Sequence, residues 1–324
     1  MILLTAMPPS RKPGAVPTVS VVRSLAGCLH DRGEQVRVLI PPSEADGWPE
    51  NVVLHVGTVT DPAAFAAAAS GSERVFLAGL VGEFLQPLRA LTNALVANGI
   101  SRVVRLGPHG SDFEDEISEE TWQWSAFERS LDTHEWAGLR PTAVMANAVV
   151  GGYPIPGAAA VETIMQCREI HEYLPDAPYA FIHEHDLAEI AAALLLGNAY
   201  RGTVEVSGTT VSATERLAAL GSALGIEGAA GRTVPGAGRG QVAAGGMARG
   251  HDRRDAPRAA RLRRPIRQSR AARAGGNGPC AARAPRTFRQ WANELADGST
   301  SPRRRGDVEP GRGLPERDAA QAKQ

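Results

Sequence analysis

Val36-Arg37-Val38-Leu39-Ile40 decides the fold through what stands on either side of it. Before it come an apolar run, Met1 to Thr5 (MILLT), and a segment in which Val19, Val22, Leu25, Ala26 and Leu29 recur at helical spacing, with Gly33 where a helix C-cap belongs. After it comes Val52 to Val56 (VVLHV), running into Gly57-Thr58-Val59-Thr60-Asp61. The apolar residues of these runs are too continuous for strands with one wet face. Such runs belong to a parallel sheet covered by helices on both sides. The expectation is an α/β fold, a doubly wound parallel sheet whose ligand lies outside the carboxyl ends of the strands, near the first strand-to-helix turn.

Strand and helix keep alternating along the chain. Pro62 to Ser70 reads as a helix with Asp61 as N-cap and Pro62 at its first position, and Arg74 to Gly79 as a fourth strand. Glu83 to Asn98 is a helix with the stripe Leu85, Leu88, Leu91, Leu95 and Val96, and Ser101 to Leu106 a fifth strand. A polar loop, Gly107 to Ser118, precedes a helix from Thr121 to Asp132, and Thr142 to Met145 is expected as the sixth strand. The pattern then loosens, with a helical stretch from Ala158 to Tyr173 and a short strand at Phe181-Ile182. A helix capped by Asp186 runs to about Leu196, a strand covers Gly202 to Ser207, and a helix covers Ser212 to Leu224, with Glu215 in capping-box register to Ser212.

The chain has 324 residues, 43% of them hydrophobic, enough for a substantial core. No apolar run approaches the roughly 18 residues of a membrane span, and the N-terminus lacks a signal-peptide pattern, so the cytoplasm is the expected compartment. Cys28, Cys167 and Cys280 show no paired spacing, which argues against a disulfide framework or a zinc knuckle. The net charge of zero hides an asymmetry: Gly231 to Gln324 carries about 21 basic and 8 acidic residues, so the body is acidic and the tail basic. The tail, rich in Arg, Ala, Gly and Pro, buries too little apolar surface to offset its ordering entropy. Arg253 to Arg273 would attract nucleic acid by counterion release, but without interleaved aromatics or a reading element nucleic acid is not an expected partner.

The first turn departs from a dinucleotide-binding pattern. A glycine-rich loop lets the backbone approach a pyrophosphate at a helix N-terminus. Ala6 to Thr18 instead holds one glycine and four prolines, which remove amide donors. Arg11 and Lys12 offer charge in their place, or are simply a solvated basic loop. After Ile40, Pro41-Pro42-Ser43 supplies neither an acid for a ribose diol nor an arginine for a 2′-phosphate, so NADP and NAD stay open.

Several segments together resemble the NmrA-like branch of the atypical short-chain dehydrogenase/reductase family, over roughly Met1 to Gly225. They are Arg37-Val38-Leu39, Gly57 to Pro62, Ser101 to Leu106, Leu139-Arg140-Pro141-Thr142 with Met145-Ala146-Asn147, and Ile182 to Ala191. Pro285 to Ala292 looks like the final family helix that packs back on the substrate lobe. The resemblance implies an NAD(P)-binding Rossmann-like domain over residues 1–150 and a small substrate lobe over 151–230, interleaved with it. Residues 231–283 are expected to be a disordered low-complexity segment, 284–297 a terminal helix and 298–324 a disordered tail. By the same resemblance Thr5, Arg11, Lys12, Thr58, Gly79, Leu80 and Leu106 would face an NADP or NAD cofactor. Thr58 stands where members often have an acidic residue, and no Tyr-x-x-x-Lys pair occurs. The Pro-rich loop and the Arg-rich stretch have the composition of a GC-rich gene read out of frame.

Reduction of a carbonyl needs a proton donor of near-neutral pKa. His109 and Ser111, on the loop after the fifth strand, are the catalytic candidates, although loop residues at strand ends often only cap or turn. Met145, Asn147 and Tyr153 are candidates for lining a substrate pocket, or simply core. His183-Glu184-His185-Asp186 invites a metal reading, but neighbours on a strand point to opposite faces and no third ligand is evident, so no metal is expected. The reading is an NAD(P)H-dependent reductase of a small carbonyl, quinone-like or polyketide-like substrate. Its rivals are a non-catalytic dinucleotide-sensing regulator and an inactive frameshifted product. Oligomeric state is not legible.

Overall fold

In a computed structural model, the described residues are 1–7, 18–78, 85–107, 130–131, 135–150, 160–168, 170–172, 176–197, 200–226, 233–235 and 285–297. The first strand, β1 (Ile2–Thr5), lies between β2 (Val36–Ile40) and β4 (Arg74–Leu77), parallel to both. β3 (Val53–Val56), β5 (Arg102–Leu106), β6 (Glu135–Pro141) and β10 (Gly202–Val206) complete a seven-stranded sheet of order β10-β6-β5-β4-β1-β2-β3, with every pairing parallel. The chain moves outward from β1 to β3, then crosses back to β4. That reversal opens a crevice at the carboxyl ends of β1 and β4.

Strand alternation builds two cores. On one face Ile2, Leu4, Val38, Phe76, Val104 and Leu139 pack against α1 (Thr18–His30) and α6 (Glu184–Leu196). On the other Leu3, Leu39, Val75, Leu77 and Val103 pack against α2 (Pro62–Ala69) and α3 (Leu85–Ala97). α1 stops where Gly33, at φ +79°, lets Glu34 N–H turn back to the Leu29 carbonyl. Asp61 caps α2 by accepting from Ala63 and Ala64 N–H. The doubly wound expectation holds, and among the described residues no helix is long and apolar enough to cross a membrane.

A third core belongs to the lobe. β7 (Ala143–Val144), β9 (Tyr179–Ile182) and β11 (Thr209–Val211) form a small sheet, and β8 (Ile170–Glu172) pairs with β12 (Thr233–Pro235). Around them lie α4 (Asn147–Val150), α5 (Ala160–Cys167), α7 (Ala213–Ala223) and α8 (Phe288–Ala296). Lobe and sheet are interleaved, since the chain leaves β9 into α6, against the sheet, and enters β10 at its edge.

Several expectations are corrected. The sixth strand is Glu135–Pro141, not Thr142 to Met145. Arg140 masked it in sequence, because a charge inside an apolar strand signals a surface until its partner is known, and here Glu205 stands beside it on β10. Thr142 to Met145 contributes instead to the lobe sheet. The run Val52 to Val56 is not covered on both sides: β3 is an edge strand, with Val53 48% and Val56 58% exposed. Val96, one position off the stripe of Leu91 and Leu95, is exposed. The helix expected to reach Tyr173 ends at Cys167, where Arg168 takes φ +59° before β8 begins. α6 is capped by His183, whose ring accepts from His185 N–H, and not by Asp186. β12 lies inside the stretch expected to be disordered from 231. The helix expected from Thr121 to Asp132 falls almost wholly outside the described residues.

Candidate functional site

The carboxyl edge at the crevice is built from small residues. β1 ends at Thr5 and Ala6, β4 is followed by Ala78, and all three are buried. The Thr5 hydroxyl accepts from Ala78 N–H at 3.0 Å and donates toward the Ala78 carbonyl at 3.0 Å. That hydroxyl is spent on holding the two strand ends together, so Thr5 sets the width of the crevice floor. Ala6 and Ala78 send no long side chain across it. Small residues at a topological switch point leave the strand ends open to an extended ligand.

The loop after β1 leaves and returns through a narrow neck. The Thr18 hydroxyl accepts from Met7 N–H and donates to the Met7 carbonyl, each at 2.9 Å. The chain therefore re-enters α1 beside the point where it left β1. Arg11 and Lys12 lie between these two residues and outside the described residues, as do Gly79, Leu80, His109, Ser111 and Tyr153.

At the edge of the sheet, two strands from β1, β3 runs into Gly57 and Thr58. A Cβ on Gly57 would come 2.8 Å from the Ala64 Cβ, so only glycine permits this strand end to close on α2. The Thr58 hydroxyl bonds Thr60 at 2.9 Å and the Thr58 carbonyl accepts from Asp61 N–H, which makes Thr58 part of the turn into α2. Leu106, at the end of β5, is 2% exposed and belongs to the sheet core.

Two arginines that the search for site residues passed over sit at this edge. Arg105 on β5 and Arg140 on β6 are fully buried and, by strand alternation, share the α2/α3 face. The Arg105 guanidinium lies against Gly107, where a Cβ would approach it to 2.5 Å. Arg140 is 3.5 Å from the Glu205 carboxylate. The available signal was arginine inside an apolar run: Arg105, with Arg102, in β5 and Arg140 in β6.

On the lobe side, Met145 and Asn147 come together at the start of α4. Met145 is fully buried, its N–H donates to the Ile182 carbonyl at 2.9 Å, and its side chain belongs to the lobe core with Phe181, Phe288 and Trp291. Asn147 is 4% exposed.

The residue after Ile182 begins a polar cluster that sequence treated as a metal question. His183 is buried, with Nδ1 accepting from His185 N–H at 3.0 Å and Nε2 at 3.0 Å from the Glu294 carboxylate on α8. Both ring nitrogens are thus engaged, with the proton on Nε2. Glu184 is 3% exposed, and its Oε1 accepts from the Trp291 indole at 3.1 Å. Burial pushes the Glu184 carboxyl's pKa up, partly offset by His183 and by hydrogen bonds. Burial, with Arg286 nearby, pushes the His185 imidazole down. Among the described residues no group of three or more His, Cys, Asp or Glu side chains could hold a metal ion.

No protein-family model matches the chain, and no curated protein matches it in sequence. Solved structures match its fold. The chain is similar to UDP-glucose 4-epimerase from Thermotoga maritima, solved with UDP-glucose: TM-score 0.53, 13% identity, 74% of this chain and 87% of that one. It is similar to the enzyme WbmH of Bordetella bronchiseptica, solved with NAD+, at TM-score 0.50 and 15% identity over 70% and 81% of the two chains. It is also similar to an NADPH-dependent quinone oxidoreductase from Escherichia coli, solved with NADPH, at TM-score 0.50 and 19% identity over 69% and 76%. The fold is the Rossmann-like α/β fold shared by these proteins.

Proposed function

We propose that this chain is an NmrA-like, NAD(P)H-dependent reductase of a small carbonyl or quinone-like compound. The observation that carries the reading is the crevice between β1 and β4, floored by Thr5, Ala6 and Ala78, at the switch point of a sheet whose similar folds were solved with NAD+ or NADPH. Bound there, the dinucleotide would supply hydride to the carbonyl carbon. Thr5 keeps the strand ends at a fixed separation, and Thr58 and Leu106 would face the cofactor from the ends of β3 and β5. Arg11 and Lys12 would offer charge to a pyrophosphate in place of the glycine-loop amides. His109 or Ser111 would give the proton to the carbonyl oxygen, in the role a Tyr-Lys pair fills elsewhere. Met145, Asn147 and Tyr153 would bound the substrate end.

One feature favours a second reading, a regulator that binds the dinucleotide without turning it over: no Tyr-x-x-x-Lys pair occurs in the chain. Fluorescence titration with NADPH and with NADH, followed by a cofactor-oxidation assay over a quinone panel, separates the two. Saturable binding with turnover supports the reductase, and saturable binding without turnover supports the regulator. Failure to bind either dinucleotide overturns both and leaves a frameshifted product.

A further inference from the structure

α8 stands apart from every other described helix in how it reaches its place. Residues 236–287 separate it from β12, whereas connections between neighbouring elements usually run to about 4–6 residues. A nine-residue helix is also too short to be stable alone in water. α8 is nevertheless specified residue by residue. Thr287 and Gln290 form a reciprocal capping box that starts it. Phe288, Trp291 and Ala292 are buried against the lobe, with Phe288 edge-on to Phe181 at 5.5 Å.

The groove that receives the helix is polar at three points, and each is met by a residue of the segment Arg286 to Glu294. Asp186 accepts from Arg286 N–H at 2.8 Å and from the Arg286 guanidinium at 2.6 Å. Glu184 accepts from the Trp291 indole, and His183 meets Glu294. Glu184 matters most for selectivity. Its Oε2 has no hydrogen-bond partner, so the indole N–H is the principal side-chain donor that compensates its burial. A phenylalanine in place of Trp291 would keep an aromatic ring in the trough and take away the side-chain donor to Glu184 Oε1.

We propose that the groove formed by His183, Glu184, Asp186 and Phe181 is a site for a linear peptide, and that residues 285–297 occupy it as a separable ligand. The ligand class is an amphipathic helix opening on Arg-Thr-Phe, with tryptophan three residues after the phenylalanine and a glutamate three further on. This inference does not depend on dinucleotide binding or turnover.

The test uses the full chain carrying a specific protease site at Gly276. After cleavage, the released C-terminal piece is followed by size-exclusion chromatography, and a labelled synthetic peptide of residues 285–297 by fluorescence anisotropy. The expected result is that the piece co-elutes with the body and is displaced by the peptide. Peptides carrying Trp291→Phe or Arg286→Ala should compete about tenfold or more weakly. Because these changes are in the peptide, folding of the body is not at issue. The proposal is overturned if the piece cannot be displaced by excess peptide, if it separates and the peptide does not bind, or if the Trp291→Phe peptide competes as well as the native one.

Discussion

The neck of the first loop and the seat of α8 solve the same problem in opposite ways. Each brings the chain back after a stretch whose composition departs from the rest. At the neck one hydroxyl suffices, because β1 and α1 are already placed by apolar residues packed into the sheet core. α8 has no strand of the seven-stranded sheet beside it and no neighbour close in sequence, so its position rests on three polar matches and on an apolar trough between Phe181 of β9 and Leu217 and Leu220 of α7. An insertion within a core-anchored unit needs only local closure. An element far along the chain needs recognition of the kind found between separate molecules.

If that contrast is right, substitutions at the two places should differ in size. Trp291→Ala removes a fully buried indole and its hydrogen bond, and should cost about 3–5 kcal/mol of lobe stability, read as a shift in the urea midpoint. Thr18→Val removes the hydroxyl at the neck and leaves the half-buried Met7 N–H and carbonyl without it, at about 0.5–1.5 kcal/mol by the same measurement. A cost at Thr18 equal to that at Trp291 would erase the distinction.

Proton linkage sharpens it further, since the two titrating groups at the α8 seat pull in opposite directions. The folded-state pKa of Glu184 is raised above 4.5, so its contribution is whole below that pH and is lost as pH climbs through the raised value. That of His185 is lowered below 6.5, so its contribution is whole above that pH and is lost as pH falls through the lowered value. Glu184→Gln should abolish the loss on the alkaline side and leave the His185 limb in place, which unfolding curves across pH would reveal. A profile unchanged by Glu184→Gln would detach that carboxyl from α8 docking. The smallest effect is expected at the sheet edge: Val53→Lys, on a half-exposed residue of β3, should change stability by no more than ~0.5 kcal/mol.

Much of the sheet was readable from runs such as Met1 to Thr5 and Val36 to Ile40, because strands buried on both faces leave continuous apolar sequence. The caps at Asp61 and Ser212 were readable because a capping side chain bonds only a few residues ahead. β6 was hidden because Arg140 balances its charge on Glu205, 65 positions away in sequence. The cap of α6 was misplaced on Asp186: His183 takes it by accepting from His185 N–H, and Asp186 turns to Arg286, 100 positions away.

The amino-acid order alone determined the alternation of strand and helix, the parallel sheet and the carboxyl-edge location of the crevice, since these follow from periodicity and local hydrogen bonding. Only the tertiary structure decided which strand ends the sheet, what Thr5 and Thr18 hold together, and why His183, Glu184 and Asp186 face a helix a hundred residues later. Those outcomes depend on buried polar groups finding distant partners, and spacing along a chain carries no record of such pairings.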